Sequence, residues 1–303
     1  NSDDLETGSI LPELSVNMLY QLQHRGQLAA GLAFFNHKLP NRIKIFKNIG
    51  LVSSIFADAN SVPEIADMVI GHTRYATSGT NQLDFVQPYE LKHPILSNWF
   101  SFAFNGNIAN AQDLKQMLMD RYGYNFVYDN DTEILMHILS IGLSQSASHS
   151  LEDALSYAQE LLDGGFAIVI MNAKGEMAAT RDRKGIRPLS YAINDQMIGF
   201  SSETIALESI GFDFNKYIQP GEIVIYSQGQ LVHNLRYVDE KKKILFFPAS
   251  FKKPYDIEKT ENANILMRAE VLTRYNKGNS IFACVTYPEA LAEKVVGKNF
   301  FAE

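Results

Sequence analysis

The feature that most constrains this fold is a succession of hairpin signals in the second half of the chain. Phe166 to Met171 and Glu176 to Arg181 flank the turn Asn172 to Gly175. Pro188 to Ile193 and Met197 to Ser201 flank Asn194-Asp195, and Glu222 to Tyr226 and Leu231 to Arg236 flank Ser227 to Gln230. Short apolar runs split by Asn, Asp and Gly read as antiparallel strands joined by tight turns. Upstream, Ala29 to Phe35 reads as a buried strand, Arg42 to Lys47 as a half-exposed one, and Met68 to Ile70 as a short buried run. Ile95 to Phe104, broken at Ser97-Asn98, reads as a tight hairpin. Helical spacing falls between these strands. It covers residues 12–24 with Pro12 at the helix start, Val62 to Met68, a helix from Asn110 to about Arg121, and Thr132 to Leu143 behind an Asp131 cap. Two more run from Ser150 with Asp153 to about Leu162 and from Ser202 to Ile210. Strands in hairpins with helices grouped between them predict an α+β fold, antiparallel sheets covered by helices.

The charged break Asp239 to Lys243 is the best domain boundary. It predicts a first domain over 1–238 and, over 239–303, a linker and the start of an incomplete α/β segment. In the latter, Ile244 to Phe247 and Ile281 to Val285 read as strands, and Ala263 to Tyr275 and Glu289 to Val296 as helices. The 303 residues, 46% hydrophobic and 20% charged, suit a soluble globular protein with ample core. A net charge of −7 argues against a nucleic-acid partner. No run of about 18 apolar residues predicts a membrane span. Asn1-Ser-Asp-Asp has neither a basic region nor an apolar one, so no signal peptide is expected, and a cytoplasmic protein is the default. The start also lacks a methionine, which suggests processing or truncation. The single cysteine, Cys284, excludes a disulfide framework or a cysteine-ligated cluster within these residues. The seven histidines lack metal-ligand spacing.

Chemistry concentrates in Gly71 to Tyr89 (GHTRYATSGTNQLDFVQPY) and in Asn105-Gly106-Asn107. A strand over Met68 to Ile70 would deliver Arg74, Tyr75 and Thr77 into a loop of small residues. An arginine there could hold a substrate carboxylate in a two-toothed grip; the alternative is a structural ion pair. Asn105 offers a side-chain amide beside the unobstructed backbone N–H of Gly106, which would suit an oxyanion hole; the alternative is a hairpin turn. Tyr75 and Thr77 could equally be strand packing, Arg25-Gly26 an ordinary helix end, and Asp131 a plain helix cap. Grip plus oxyanion hole suggests acyl chemistry on an amino acid, yet a nucleophile is not evident. No Ser or Cys stands in a G-x-S-x-G elbow, so His24 and His72 are read as structural. Cys284 sits in the middle of an expected strand, where a thiol is inert unless its thiolate is stabilised.

QHRGQ (Gln23 to Gln27), GHTRYATSG, QPY (Gln87 to Tyr89), NGNI (Asn105 to Ile108), NDTE (Asn130 to Glu133), RDRKGIRPL (Arg181 to Leu189), SSE (Ser201 to Glu203) and PGE (Pro220 to Glu222) occur in this order. Together they closely resemble the glutaminase domain of the amidophosphoribosyltransferases, over roughly residues 14–226. That family belongs to the class II glutamine amidotransferases, N-terminal-nucleophile hydrolases built as an αββα sandwich. The resemblance implies that Arg74 binds the glutamine α-carboxylate and Asp131 its α-ammonium, and that Asn105 and Gly106 form the oxyanion hole. It also implies that Arg25 and Gly26 pack near the nucleophile and that Tyr75 and Thr77 line the pocket. The family's nucleophile is an N-terminal cysteine whose own α-amino group acts as base. Here residues 1 and 2 are Asn and Ser in a turn-like stretch, so the nucleophile is expected outside this sequence, on a short first strand, or lost. Phe104 replaces a usual His, Leu28 a usual Asp or Glu, and Arg183 a usual Pro.

The implied activity is release of ammonia from glutamine for transfer to phosphoribosyl pyrophosphate, the first step of purine synthesis. The alternatives are an inactive glutamine-binding or assembly relative, or a class II amidotransferase with another acceptor. The resemblance implies no cofactor in this segment, Mg²⁺ with phosphoribosyl pyrophosphate in a full-length enzyme, and a homo-oligomer. Residues 280–303 are faintly similar to the opening of the transferase domain, and the glycine loop that binds phosphoribosyl pyrophosphate is not among the 303 residues.

Overall fold

β1 (Ala29–Phe35) is buried at all seven positions, which a strand achieves only when both of its faces are covered. The computed structural model supplies both covers. It describes residues 2–58, 62–63, 65–75, 83–128, 130–213, 215–227 and 229–237, and beyond them 244–247, 271 and 283–286. Two compact units separate, Asn1–Val238 and Asp239–Glu303.

In the first unit β1 lies between β2 (Ile43–Ile49) and β3 (Met68–Arg74), antiparallel to both. A second three-stranded sheet has the order β10 (Lys216–Tyr217), β8 (Ser190–Ile193), β9 (Ile198–Ser201). The third sheet has six antiparallel strands. Its order is β12 (Gln230–Asn234), β11 (Ile223–Ser227), β7 (Met177–Arg181), β6 (Gly164–Asn172), β5 (Phe100–Ile108), β4 (Tyr89–Leu91).

Alternation sorts the layers. Leu32 and Phe34 of β1 face Leu19 of α1 (Ser2–Gln21) and Val52 of α2 (Val52–Ile55), whereas Ala33 and Phe35 face Ala103 and Met171 of the six-stranded sheet. On that sheet's far face Phe100, Phe102, Phe166 and Ile168 pack against α3 (Ala111–Tyr122), α4 (Asp131–Gln145) and α5 (Leu151–Leu161). Leu207 of α6 (Thr204–Glu208) and Met18 of α1 cover Ala192 of β8. Helices, sheet, sheet, helices is the αββα sandwich. A fully buried Phe or Leu in such a core stabilises by about 2 kcal/mol relative to exposure.

Several expectations are corrected. α1 runs through the buried Pro12 rather than starting there, and it begins at Ser2, where a turn was expected. Its packing through Leu19 onto β1 and α2 outweighs the lost N–H of one proline. Val62 to Met68 is not a helix in its described residues: Pro63 disfavours helical backbone at the residue before it, and Asp67 N–H already bonds Phe35 C=O at 2.8 Å, extending the β1–β3 ladder. The hairpin around Ser97-Asn98 uses β4 as its first strand, with Trp99 Nε1–H donating to Glu90 at 2.7 Å across it. Asn130, not Asp131, caps α4: its Oδ1 accepts Glu133 N–H at 2.8 Å. Asn110 stands at the α3 start but spends its side chain on Leu161 C=O and Asp163 N–H, holding the end of α5 instead. In the second unit β13 (Ile244–Phe247) and β14 (Ala283–Thr286) pair in parallel, and Cys284 lies on β14. The helices expected at 263–275 and 289–296 lie outside the described residues, except for Val271.

Candidate active site

β5 reaches past its neighbour. Its inner edge pairs with β6 along all nine residues, from Phe100 opposite Asn172 to Ile108 opposite Gly164. Its outer edge meets β4 only from Phe100 to Phe102. Main-chain groups alternate between the two edges, so the N–H groups of Phe104, Gly106 and Ile108 all face outward beyond β4. Phe104 N–H donates to the side-chain Oε1 of Gln87 at 2.6 Å, and its carbonyl accepts Gln87 Nε2–H at 2.9 Å. Ile108 N–H donates to Asp131 Oδ2 at 2.8 Å. Between these two stoppered rungs stands the N–H of Gly106, with no partner among the described residues. Asn105 is therefore in a strand, opposite Ala167, and not in a hairpin turn. Gly106 is glycine because a Cβ there would lie 2.4 Å from the Gly165 carbonyl oxygen.

β3 brings Arg74 to this edge from the facing sheet. Its guanidinium lies 5.6 Å from the centre of the Phe85 ring, and aromatic contacts continue from Phe85 to Tyr128 to Tyr89. Asn130 Nδ2–H then donates to the Tyr89 hydroxyl at 3.2 Å, one residue from Asp131. Burial pushes the Tyr89 hydroxyl pKa up, against the Asn130 hydrogen bond and the charge of Arg74. A cation and a carboxylate thus stand at two ends of an aromatic wall, the charge pattern that fits a free α-amino acid.

His72, on the same face of β3 as Arg74, is half-buried with its Nδ1 out of solvent, and its pKa is lowered to about 4. Burial is the main cause and the charge of Arg74 the second, against a hydrogen bond to the Phe104 main chain. The ring is neutral near pH 7. It does not form a triad with His24, which is exposed and pairs with Glu203 at 3.0 Å.

Arg25 and Gly26 close the β3 side. A Cβ on Gly26 would lie 2.6 Å from the carbonyl carbons of Thr73 and Arg74, so only glycine lets this loop press onto the backbone that carries Arg74. Gln23 Nε2–H donates to Gly26 C=O, and Gln23 Oε1 accepts Val52 N–H at 2.6 Å. Arg25 donates to Glu203 at 2.6 Å. Burial of Glu203 opposes its ionisation, but the hydrogen bonds from Arg25 and His24 outweigh it and hold the carboxyl below its ordinary range.

The fold therefore brings Arg25, Gly26, Arg74, Asn105, Gly106 and Asp131 into one neighbourhood across the two facing sheets. Tyr75 follows β3 and is 65% exposed. Thr77 lies outside the described residues. Sequence reasoning missed Gln87, Glu203 and the Tyr89–Tyr128 wall as parts of the site. The motifs QPY and SSE carried the first two, but only as marks of resemblance. Among the described residues no three His, Cys, Asp or Glu side chains cluster as a metal site, and no helix is long and apolar enough to cross a membrane.

Among the described residues β3 pairs only with β1, and β9 only with β8. An apolar cavity of about 190 Å³ is lined by Met68, Val69, Ile70 and Gly71 of β3 and by Met197, Ile198, Gly199 and Phe200 at β9. Consecutive residues line it from both sides, so the strands turn edges to it as well as faces.

Residues 80–209 match a family model described as a glutamine amidotransferase domain. The chain thus carries a glutamine amidotransferase domain, and its αββα sandwich is the fold of the class II, N-terminal-nucleophile type. The chain is 32% identical over 224 residues to the amidophosphoribosyltransferase of Archaeoglobus fulgidus, covering 74% of this chain and 47% of that protein. Against the Escherichia coli amidophosphoribosyltransferase the identity is 34% over 223 residues, covering 69% and 43%. A solved structure of glutamine phosphoribosylpyrophosphate amidotransferase from B. subtilis, complexed with ADP and GMP, superposes with a TM-score of 0.63 at 30% identity, over 74% of this chain and 46% of that one. Another, described as the allosteric regulatory enzyme of purine biosynthesis, gives a TM-score of 0.65, also at 30% identity, over 75% and 46%. The chain is a homologue of the amidophosphoribosyltransferases through their glutamine amidotransferase domain. It spans about half the length of the curated relatives it matches.

Proposed function

We propose that residues 1–238 hydrolyse the side-chain amide of glutamine to glutamate and ammonia. The observation that carries this reading is the outer edge of β5. There, among the described residues, one backbone N–H, that of Gly106, is left open between rungs closed by Gln87 and Asp131, with Arg74 on the facing strand. A preorganised donor at a strand edge suits the oxyanion of a tetrahedral intermediate; the Asn105 side-chain amide would supply a second donor. Arg74 holds the α-carboxylate. Asp131 spends Oδ2 on Ile108 and keeps Oδ1 for the α-ammonium. Arg25 and Gly26 wall the pocket, and Tyr75 and Thr77 complete it.

The nucleophile in this reading is an N-terminal cysteine carried on an extended segment. The cavity between β3 and β9 supports that arrangement, because each edge offers main-chain partners to an added strand. The thiolate attacks the amide carbon, ammonia leaves, and water cleaves the thioester to give glutamate and restore the thiol. The cysteine's own α-amino group, with a pKa of roughly 8, moves the protons. In the complete protein the ammonia passes to phosphoribosyl pyrophosphate, giving phosphoribosylamine. That transfer, with its Mg²⁺, rests on the resemblance alone.

A glutamine-mimicking diazoketone, added to the native full-length protein, should label its N-terminal residue and abolish ammonia release. An intact, correctly processed N-terminus that takes no label overturns the reading. Glutamine binding without hydrolysis makes the protein a non-catalytic relative. Hydrolysis that phosphoribosyl pyrophosphate neither stimulates nor couples points to another acceptor.

A further inference from the structure

We propose that Gln87 is a positioning residue for the oxyanion donor of Gly106. The inference rests on the glutamine-hydrolysis reading and extends it to a side chain that does not touch substrate. β4 pairs with β5 from Leu91 opposite Phe100 to Tyr89 opposite Phe102. Two residues further along, the main chain of residue 87 would stand opposite Phe104. The side-chain amide of Gln87 takes that place, accepting from Phe104 N–H and donating to Phe104 C=O. A primary amide carries the donor and the acceptor of a peptide group, so it continues the ladder by one rung without a strand.

The amide is itself held in place. Gln87 is 8% exposed and Val86 is fully buried. Lys47 Nζ–H donates to Val86 C=O at 2.5 Å, and Lys47 lies over the Tyr89 ring at 5.1 Å. With Phe104 fixed on one side and Ile108 fixed by Asp131 on the other, the Gly106 N–H between them has one direction. Replacing Gln87 with an apolar side chain would leave a buried N–H and C=O at Phe104 unpaired. That edge would then twist or admit water. An oxyanion donor acts because it is in place beforehand, and a misplacement of about 1 Å can cost about 10²-fold in rate.

The test is steady-state glutamine hydrolysis by the native full-length protein, its Gln87→Met variant and its Gln87→Glu variant, with melting temperatures measured in parallel. Gln87→Met should lower kcat by about 10- to 10²-fold while KM moves by less than about 3-fold, the signature of an interaction made in the transition state. In Gln87→Glu a protonated carboxyl keeps one donor and one acceptor, and a carboxylate keeps no donor. Its kcat should therefore recover toward wild type as pH falls, a limb absent from the wild-type profile. A merely structural glutamine would change melting temperature and active fraction but would add no such limb. A folded Gln87→Met protein with kcat within about two-fold of wild type, or with its loss wholly in KM, overturns the role. If that variant fails to fold, the Gln87→Glu profile decides, and a ratio to wild type that stays flat with pH overturns the role. Wild type without glutamine hydrolysis sinks the functional reading itself. Hydrolysis that both variants leave unchanged sinks only the positioning role.

Discussion

β5 and β3 carry the two halves of the site, and they are built in opposite ways. β5 lies inside a six-stranded sheet, locked to β6 over nine residue pairs, with its outer edge finished by two side chains. β3 ends a three-stranded sheet, and its terminal Arg74 depends on the loop at Gly26 pressed against its backbone. The difference has a physical reason. A backbone donor must be aimed before the reaction, and a ladder aims it. A long charged side chain needs only a fixed root, and its reach adapts to the ligand. Changes on β5 should therefore appear in kcat, and changes in the charged grip should appear in KM.

The hardest test of that contrast is Gly106→Ala. Its Cβ would meet the Gly165 carbonyl oxygen at 2.4 Å, a backbone atom that cannot move alone. A kcat loss approaching about 10³-fold with KM retained is expected, because the clash displaces the Gly106 N–H and removing such a donor outright costs about that much. A rise in KM with kcat intact would break the contrast.

Next is His72, which stands beside Arg74 on β3. Its pKa in the folded protein, about 4, lies below the ordinary 6.5, so the unfolded chain binds its proton first as pH falls. Its contribution is fully present above pH 6.5 and is lost as pH falls toward 4, by about 3 kcal/mol. Chemical denaturation across that range should show the decline, and His72→Gln should flatten it. His137 is shifted in the same direction by burial, so some slope will remain.

Asp131→Asn keeps an acceptor for Ile108 N–H and removes the charge. Glutamine KM should rise about 10²-fold with melting temperature nearly unchanged. A fall in kcat instead would assign Asp131 chiefly to the β5 edge. Arg74→Lys keeps the charge and loses the planar fork, so KM should rise about 10-fold.

Much of this was legible in the sequence because it is local. The three hairpins from β6 to β12 follow from period-2 apolar runs and turn residues, and β1 was read to its final bounds. Arg74 and Asn105-Gly106 stood out because few chemistries use those residue types together. Reading failed where a neighbour decided. Asn-Gly usually means a turn, but nine pairings with β6 made it strand. The spacing of Val62 to Met68 suits a helix, but Asp67 joined the ladder of β1. Asp131 was an apparent cap until Asn130 took that place and left its carboxylate for Ile108.

By itself, then, the sequence determined the strands, the sandwich class and the residue types of a glutamine site. The tertiary structure alone decided which backbone groups at the edge of β5 are closed and which is open. A strand's own residues fix its alternation, but the partners on its edge come from segments far along the chain. Gln87 reaches Phe104 and Asp131 reaches Ile108 only after the sheets have stacked, and that stacking leaves the Gly106 N–H without a partner among the described residues.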